Sequence, residues 1–124
     1  MRQILFAAAL GLVFGTSATA QEPQSLTFAN GFIDRCLADM GETRRQSAGG
    51  LSCSCFAGYV VGRASNRQLE ILVPFLRART DDENADIAQR LVNLGYSADE
   101  IMAAGNLLIE ISETASPACD YLRN

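Results

Sequence analysis

Cys53 and Cys55 stand one residue apart in the run Leu51-Ser52-Cys53-Ser54-Cys55-Phe56, and with Cys36 and Cys119 they complete the four cysteines of the chain. Thiols at this spacing can ligate a soft metal, exchange redox equivalents, or form two halves of a covalent staple. Residues i and i+2 lie too close and point too nearly in opposite directions for a relaxed bridge between them, because a disulfide needs a defined Cα separation and torsion. Cys53 and Cys55 therefore look outward, to Cys36 and Cys119. Four cysteines allow three pairings, and discarding the local one leaves two. A dithiol catalyst places C-x-x-C at a helix start within an α/β pattern, and structural zinc wants close pairs at both ends; neither is present. Cuprous copper could take Cys53 and Cys55 with Met40 or Met102 as a soft third ligand. The spacing favours the staple, with a thiol-dependent copper or redox carrier using Cys53/Cys55 as the alternative.

The other reactive side chains are few. The chain has no His, no Trp and no Lys, so the commonest general base and metal ligand are missing and every basic side chain is Arg. The acid pairs Asp81-Asp82 and Asp99-Glu100 could be drawn as general acid and base. Each falls in the first turn of an expected helix, where acids serve the cap and the dipole. No catalytic residue and no cofactor is therefore assigned, and an enzyme is not expected. Arg44, Arg45, Arg63 and Arg67 would form an anion-binding patch if their loop folded over the following helix. Gln21–Thr80 carries seven Arg against five acids, whereas the chain from Asp81 onward carries two Arg against nine acids. That asymmetry, with Glu110 and Glu113 on the acidic side, points to a polarised surface that would steer a protein partner. The net charge of −4 argues against nucleic acid.

The compartment is written at the N-terminus. Arg2, the apolar run Ile4 to Phe14 and Ala18-Thr19-Ala20 before Gln21 have the form of a secretory signal peptide, residues 1–20. The apolar run is too short to cross a bilayer, and nothing downstream is longer, so no stable membrane insertion is expected after cleavage. The mature chain, 21–124, is one domain, periplasmic or secreted, where two crosslinks would support a modest core.

The elements that would position the thiols are all helical. Phe28, Phe32, Ile33, Cys36, Leu37 and Met40 recur on one helical face, with Ser25 or Thr27 as cap and Gly41 as terminator. A loop from Glu42 to Gly50 leads to a second helix, expected from an N-cap at Ser52 to about Arg63. In it Gly58 and Gly62 would allow another backbone close approach. Ser65–Gln68, Thr80–Glu83 and Ser97–Glu100 each have the form of a capping box. Pro74 should kink or split the third helix, with a short strand over Ile71 to Phe75 as the competing assignment. Ile87, Leu91 and Leu94 mark the inner face of the fourth helix, which Gly95 closes. The fifth, with Ile101, Ala104, Leu107, Leu108, Ile111 and Ala115, has the widest apolar face and is the expected central helix. Ser116-Pro117 should open a separate last turn that presents Cys119 inward. The fold class is all-α: about five helices plus a short C-terminal turn, stapled by disulfides. An antiparallel hairpin of the first two helices, with the second starting at Ser52, sets Cys36 level with Cys55, which favours Cys36 with Cys55 and Cys53 with Cys119 over Cys36 with Cys53 and Cys55 with Cys119.

The segment Cys55-Phe56-Ala57-Gly58-Tyr59-Val60-Val61-Gly62 and the leucine-rich run to Leu76 resemble the middle of the Rap/Tai family of periplasmic immunity proteins. The family cysteine stands one residue closer to its Gly-Tyr pair, and this chain adds a long helix before its last cysteine. The resemblance implies a small, exported, helical, disulfide-bonded protein that neutralises a peptidoglycan amidase toxin of type VI secretion. Together these readings describe a non-enzymatic protein-interaction protein, of immunity, inhibitor or envelope-chaperone type.

Overall fold

A computed structural model describes residues 23–123; the expected signal peptide lies outside them. Five α-helices follow in order: α1 Gln24–Asp39, α2 Ala48–Arg63, α3 Asn66–Leu72, α4 Asp81–Asn93 and α5 Ala98–Asp120. A 3₁₀ turn, Val73–Arg77, separates α3 from α4, and a second, Tyr121–Arg123, follows α5. No strand occurs among the described residues, and none of their helices is long and apolar enough to cross a membrane.

Capping chemistry sets most boundaries. Ser65 and Ser97 make complete capping boxes with Gln68 and Glu100, each Ser oxygen accepting the N3 amide and each N3 side chain accepting the Ser amide. At Thr80 the box is half made: its hydroxyl accepts from the Glu83 amide, while the Glu83 carboxylate accepts from the amide of Arg79, one residue earlier than expected. Gly41 (φ 68°) and Gly95 (φ 102°) end α1 and α4 in the left-handed conformation that side chains resist. Pro74 splits the third apolar run as expected, and the backbone continues as a 3₁₀ turn instead of a strand.

Four boundaries differ from the sequence reading. Helix α1 opens at Pro23 with no side-chain cap; the amides of Leu26 and Thr27 bond the Pro23 carbonyl, so Ser25 and Thr27 are already inside the helix. Helix α2 opens at Ser47, whose hydroxyl accepts from the Gly50 amide, one turn before Ser52. Helix α5 runs through Pro117 without a break. The buried Ala115 and Cys119 hold its last turns against the core, which outweighs the backbone bond that Pro117 cannot donate. Leu94 lies past the end of α4 and is 76% exposed instead of facing inward.

Helix α2, and not α5, is central. It packs most extensively on α1 and on α5 and also meets the terminal 3₁₀ turn. One apolar cluster, Ile33, Leu37, Cys53 and Ala57, fills the α1–α2 seam. A larger one joins Phe28, Val60, Leu69, Ile71, Ile87, Leu91, Ala104 and Ile111, with Phe32 touching both and stacked on Phe28 at 5.7 Å. Helix α4 is the most loosely attached element, held by Ile87 and Leu91.

Candidate functional site

The two disulfides are Cys36–Cys53, with Cα atoms 5.9 Å apart, and Cys55–Cys119, with Cα atoms 5.6 Å apart. This corrects the expected pairing of Cys36 with Cys55 and Cys53 with Cys119. The reason is the extra turn at the start of α2. Cys36 lies about one turn before α1 ends, and the residue level with it across the hairpin is about one turn into α2; opening the helix at Ala48 makes that residue Cys53. Two residues on, Cys55 is rotated by about 200° and faces α5, where Cys119 waits. Cys53 and Cys119 are fully buried, and no described cysteine is free. Met40, one candidate copper ligand, packs near Gly49 and accepts a hydrogen bond from Arg123; Met102, the other, is exposed on α5.

The residue expected to cap α2 has a different fate. Ser52 is fully buried immediately before Cys53, and its hydroxyl has no hydrogen-bond partner among the described residues. Gly50, in the first turn, is required for space: a Cβ there would run into the carbonyls of Arg44 and Arg45, which fold over the helix start. Gly58 and Gly62 face open space, so they do not serve the close approach expected of them within this chain.

The four arginines proposed as one patch are spread from the loop before α2 to α3. Arg44 and Arg45 sit in the loop before it and Arg63 at its far end, sixteen helical residues or about 24 Å away. Arg45 is engaged by Asp34 (2.7 Å) and Asn30 (3.1 Å) on α1. Arg67 is engaged by Glu100, at 2.5 and 3.1 Å from the two carboxylate oxygens, and its guanidinium lies 4.5 Å from the centre of the Tyr96 ring. Arg44, Arg63, Glu110 and Glu113 are exposed and make no ion pair among the described residues.

Two polar clusters were not read from the sequence. In the first, Tyr96 donates to Glu70 at 2.7 Å beside the Arg67–Glu100 pair, tying α3 to the start of α5. The bond to Glu70 raises the Tyr96 pKa, and the Arg67 guanidinium with the Ser97 amide holds Glu100 down to about 2. In the second, Arg35 on α1 binds Asp39 and also donates to the carbonyls of Leu76 (3.1 Å) and Ala78 (2.6 Å), where the 3₁₀ turn ends. Arg79 joins Asp39 from the other side, and the arginines, Arg35 first, lower its pKa. Only the Arg35–Asp39 contact has a sequence signal, its i,i+4 spacing; the others span 26 to 43 residues.

A groove of about 440 Å³ lies between the Val73–Arg77 turn and α4. Pro74, Ala78, Ile87, Leu91 and Leu94 supply apolar walls, and Arg77, Arg90, Glu83 and Asp86 the charged edge. It contains none of the cysteines, and no group of three or more potential metal-ligating side chains occurs among the described residues. No protein-family model, curated protein or solved structure matches the chain.

Proposed function

We propose that this protein is exported to the periplasm and acts by binding another protein, without chemistry of its own. The observation that carries the reading is the use of all four cysteines in two bridges that converge on α2. The one constellation in the sequence with reactive potential is thereby committed to holding helices together, which disfavours the copper or redox carrier. What faces solvent is binding surface: Leu94, Met102 and Tyr121 are more than 60% exposed, and Arg44, Arg63, Glu110 and Glu113 are free to pair with a partner. Immunity protein, inhibitor and envelope chaperone all work through such a surface. The resemblance of Cys55–Gly62 to the Rap/Tai family makes a peptidoglycan amidase the first partner to try.

Photo-crosslinking residues placed at Arg44 and at Glu110 in the exporting cell test this reading. The expected result is a discrete adduct with one protein, from a chain whose purified native form has no titratable thiol. Absence of any adduct, together with stoichiometric cuprous copper or titratable thiols in the purified protein, would establish the carrier instead.

A further inference from the structure

We infer that a cleft between α1 and the Val73–Arg77 turn binds a small anion through its carboxylate or phosphate oxygens. The cleft measures about 360 Å³, the scale of a small-molecule site. Three of the side chains that line it are arginines, Arg35 from α1, Arg77 from the turn and Arg79 just after it, against one acid, Asp34. The protein's own acids hold this arrangement without saturating it. Asp39, which does not line the cleft, accepts at Oδ1 from both Arg35 Nε and Arg79 Nη1, each at 3.1 Å, so two of the guanidiniums are fixed side by side. Asp34 is engaged by Arg45, 2.7 Å away and also outside the lining. Positive charge is therefore in excess at the cleft, and Arg77 makes no ion pair among the described residues.

The donors left unused describe the occupant. Arg35 gives its Nε–H to Asp39 and its Nη1 to the carbonyls of Leu76 and Ala78, which anchors the guanidinium and leaves Nη2. The Arg79 guanidinium uses Nη1 alone. Its Nε–H and Nη2–H edge, the pair that grips a carboxylate or phosphate side-on, has no protein acceptor among the described residues. Guanidiniums already held in place lose less freedom when a ligand arrives, so Arg35 and Arg79 are prepared for an oxyanion before one binds. The remaining wall adds a second requirement. Val73 and Leu76, both half-buried, line the cleft beside the arginines, so an anion that carries an apolar substituent gains contact that a bare ion does not. An N-blocked apolar amino acid, the free end of a peptide and an organic phosphate ester all have this form. The inference does not rest on the protein partner proposed above, and either can fail without the other.

Titration of the isotope-labelled, oxidised mature chain with N-acetyl-leucine, N-acetyl-leucinamide and inorganic phosphate, followed through the arginine Nε–H resonances, tests it. The expected result is a saturable shift at Arg77 and Arg79 with a Kd of about 1 mM or tighter for at least one of the two anions, and none for the uncharged amide. Tighter binding of N-acetyl-leucine assigns the cleft to carboxylates, and tighter binding of phosphate assigns it to phosphates. Arg77→Gln should weaken that binding by roughly tenfold, the loss of charge-assisted hydrogen bonds to the ligand. Arg77 is exposed and unpaired among the described residues, so this variant retains the helical circular dichroism of the parent. Arg90→Gln, which removes the same charge from the α4 groove, should leave binding unchanged. No saturable shift with either anion, a response that the amide or chloride reproduces, or an equal loss in Arg77→Gln and Arg90→Gln would overturn the inference.

Discussion

Arg35 and Ala78 lie 43 residues apart in the chain and are joined by a 2.6 Å hydrogen bond from the guanidinium to the backbone carbonyl. The same Nη1 reaches the Leu76 carbonyl, so one side chain from α1 satisfies two acceptors where the 3₁₀ turn ends and α4 is about to begin. Arg35→Ala should cost about 2 kcal/mol, the worth of charge-assisted bonds to acceptors that are otherwise left short of partners. Arg35→Lys should recover only part, because an ammonium cannot span both carbonyls and Asp39 in the same fork geometry. Urea denaturation of the two variants measures the difference.

The two bridges should differ in worth. In the loop-entropy account, the bridge closing 17 residues contributes about 3 kcal/mol and the one closing 64 residues about 4 kcal/mol. Paired replacements, Cys36→Ala with Cys53→Ala and Cys55→Ala with Cys119→Ala, should therefore both destabilise, the second pair more. Non-reducing peptide mapping should recover Cys36 joined to Cys53 and Cys55 joined to Cys119; the interleaved pairing would show that α2 starts later than Ala48.

Ser52 should be replaceable with profit. Its hydroxyl is buried without a partner, and burying an unpaired hydroxyl costs about 1–3 kcal/mol. Ser52→Ala removes that cost, keeps the volume nearly unchanged and favours the helix, so stability should rise by about 1 kcal/mol. Thermal unfolding checks the sign: a lower midpoint would mean that the hydroxyl is paired in solution.

Acid should act first through Glu100. Its folded pKa is about 2 against an ordinary 4.5, so its contribution is complete above the ordinary value and is lost as pH falls toward the folded one. Glu100→Gln should thus be less stable than the parent at neutral pH, with the gap narrowing between pH 4.5 and 2. Paired denaturation curves across that range give the comparison. A gap that stays constant would mean that Arg67 does not hold the carboxylate.

Local signals made the helices legible. Ser65 with Gln68, Ser97 with Glu100, Gly41, Gly95 and Pro74 each act through their own backbone neighbours, and each marks a boundary where expected. The start of α2 was missed because Ser47 and Ser52 offer the same cap, and the choice depends on Gly50 letting the Arg44 and Arg45 carbonyls lie over the first turn. That single turn also decided the disulfide partners. The candidate surface was legible only as residue types. Arg67 and Glu100 find each other across 33 residues through the packing of α3 on α5, which no spacing along the chain announces.

The order of the bridges along the chain governs what a protease can release. Cys36–Cys53 and Cys55–Cys119 close two consecutive rings that meet at Ser54. A single cut anywhere else between Cys36 and Cys119 leaves both fragments covalently attached, so nicked protein keeps its mass until it is reduced. Within that span only the two peptide bonds flanking Ser54 lie outside a ring, and they sit in the second turn of α2 between the buried Cys53 and the bridged Cys55. Between Cys36 and Cys119 the one point where a single scission would divide the molecule is thus in its central helix, where a protease cannot bind the chain in the extended form that cleavage requires unless α2 first unwinds.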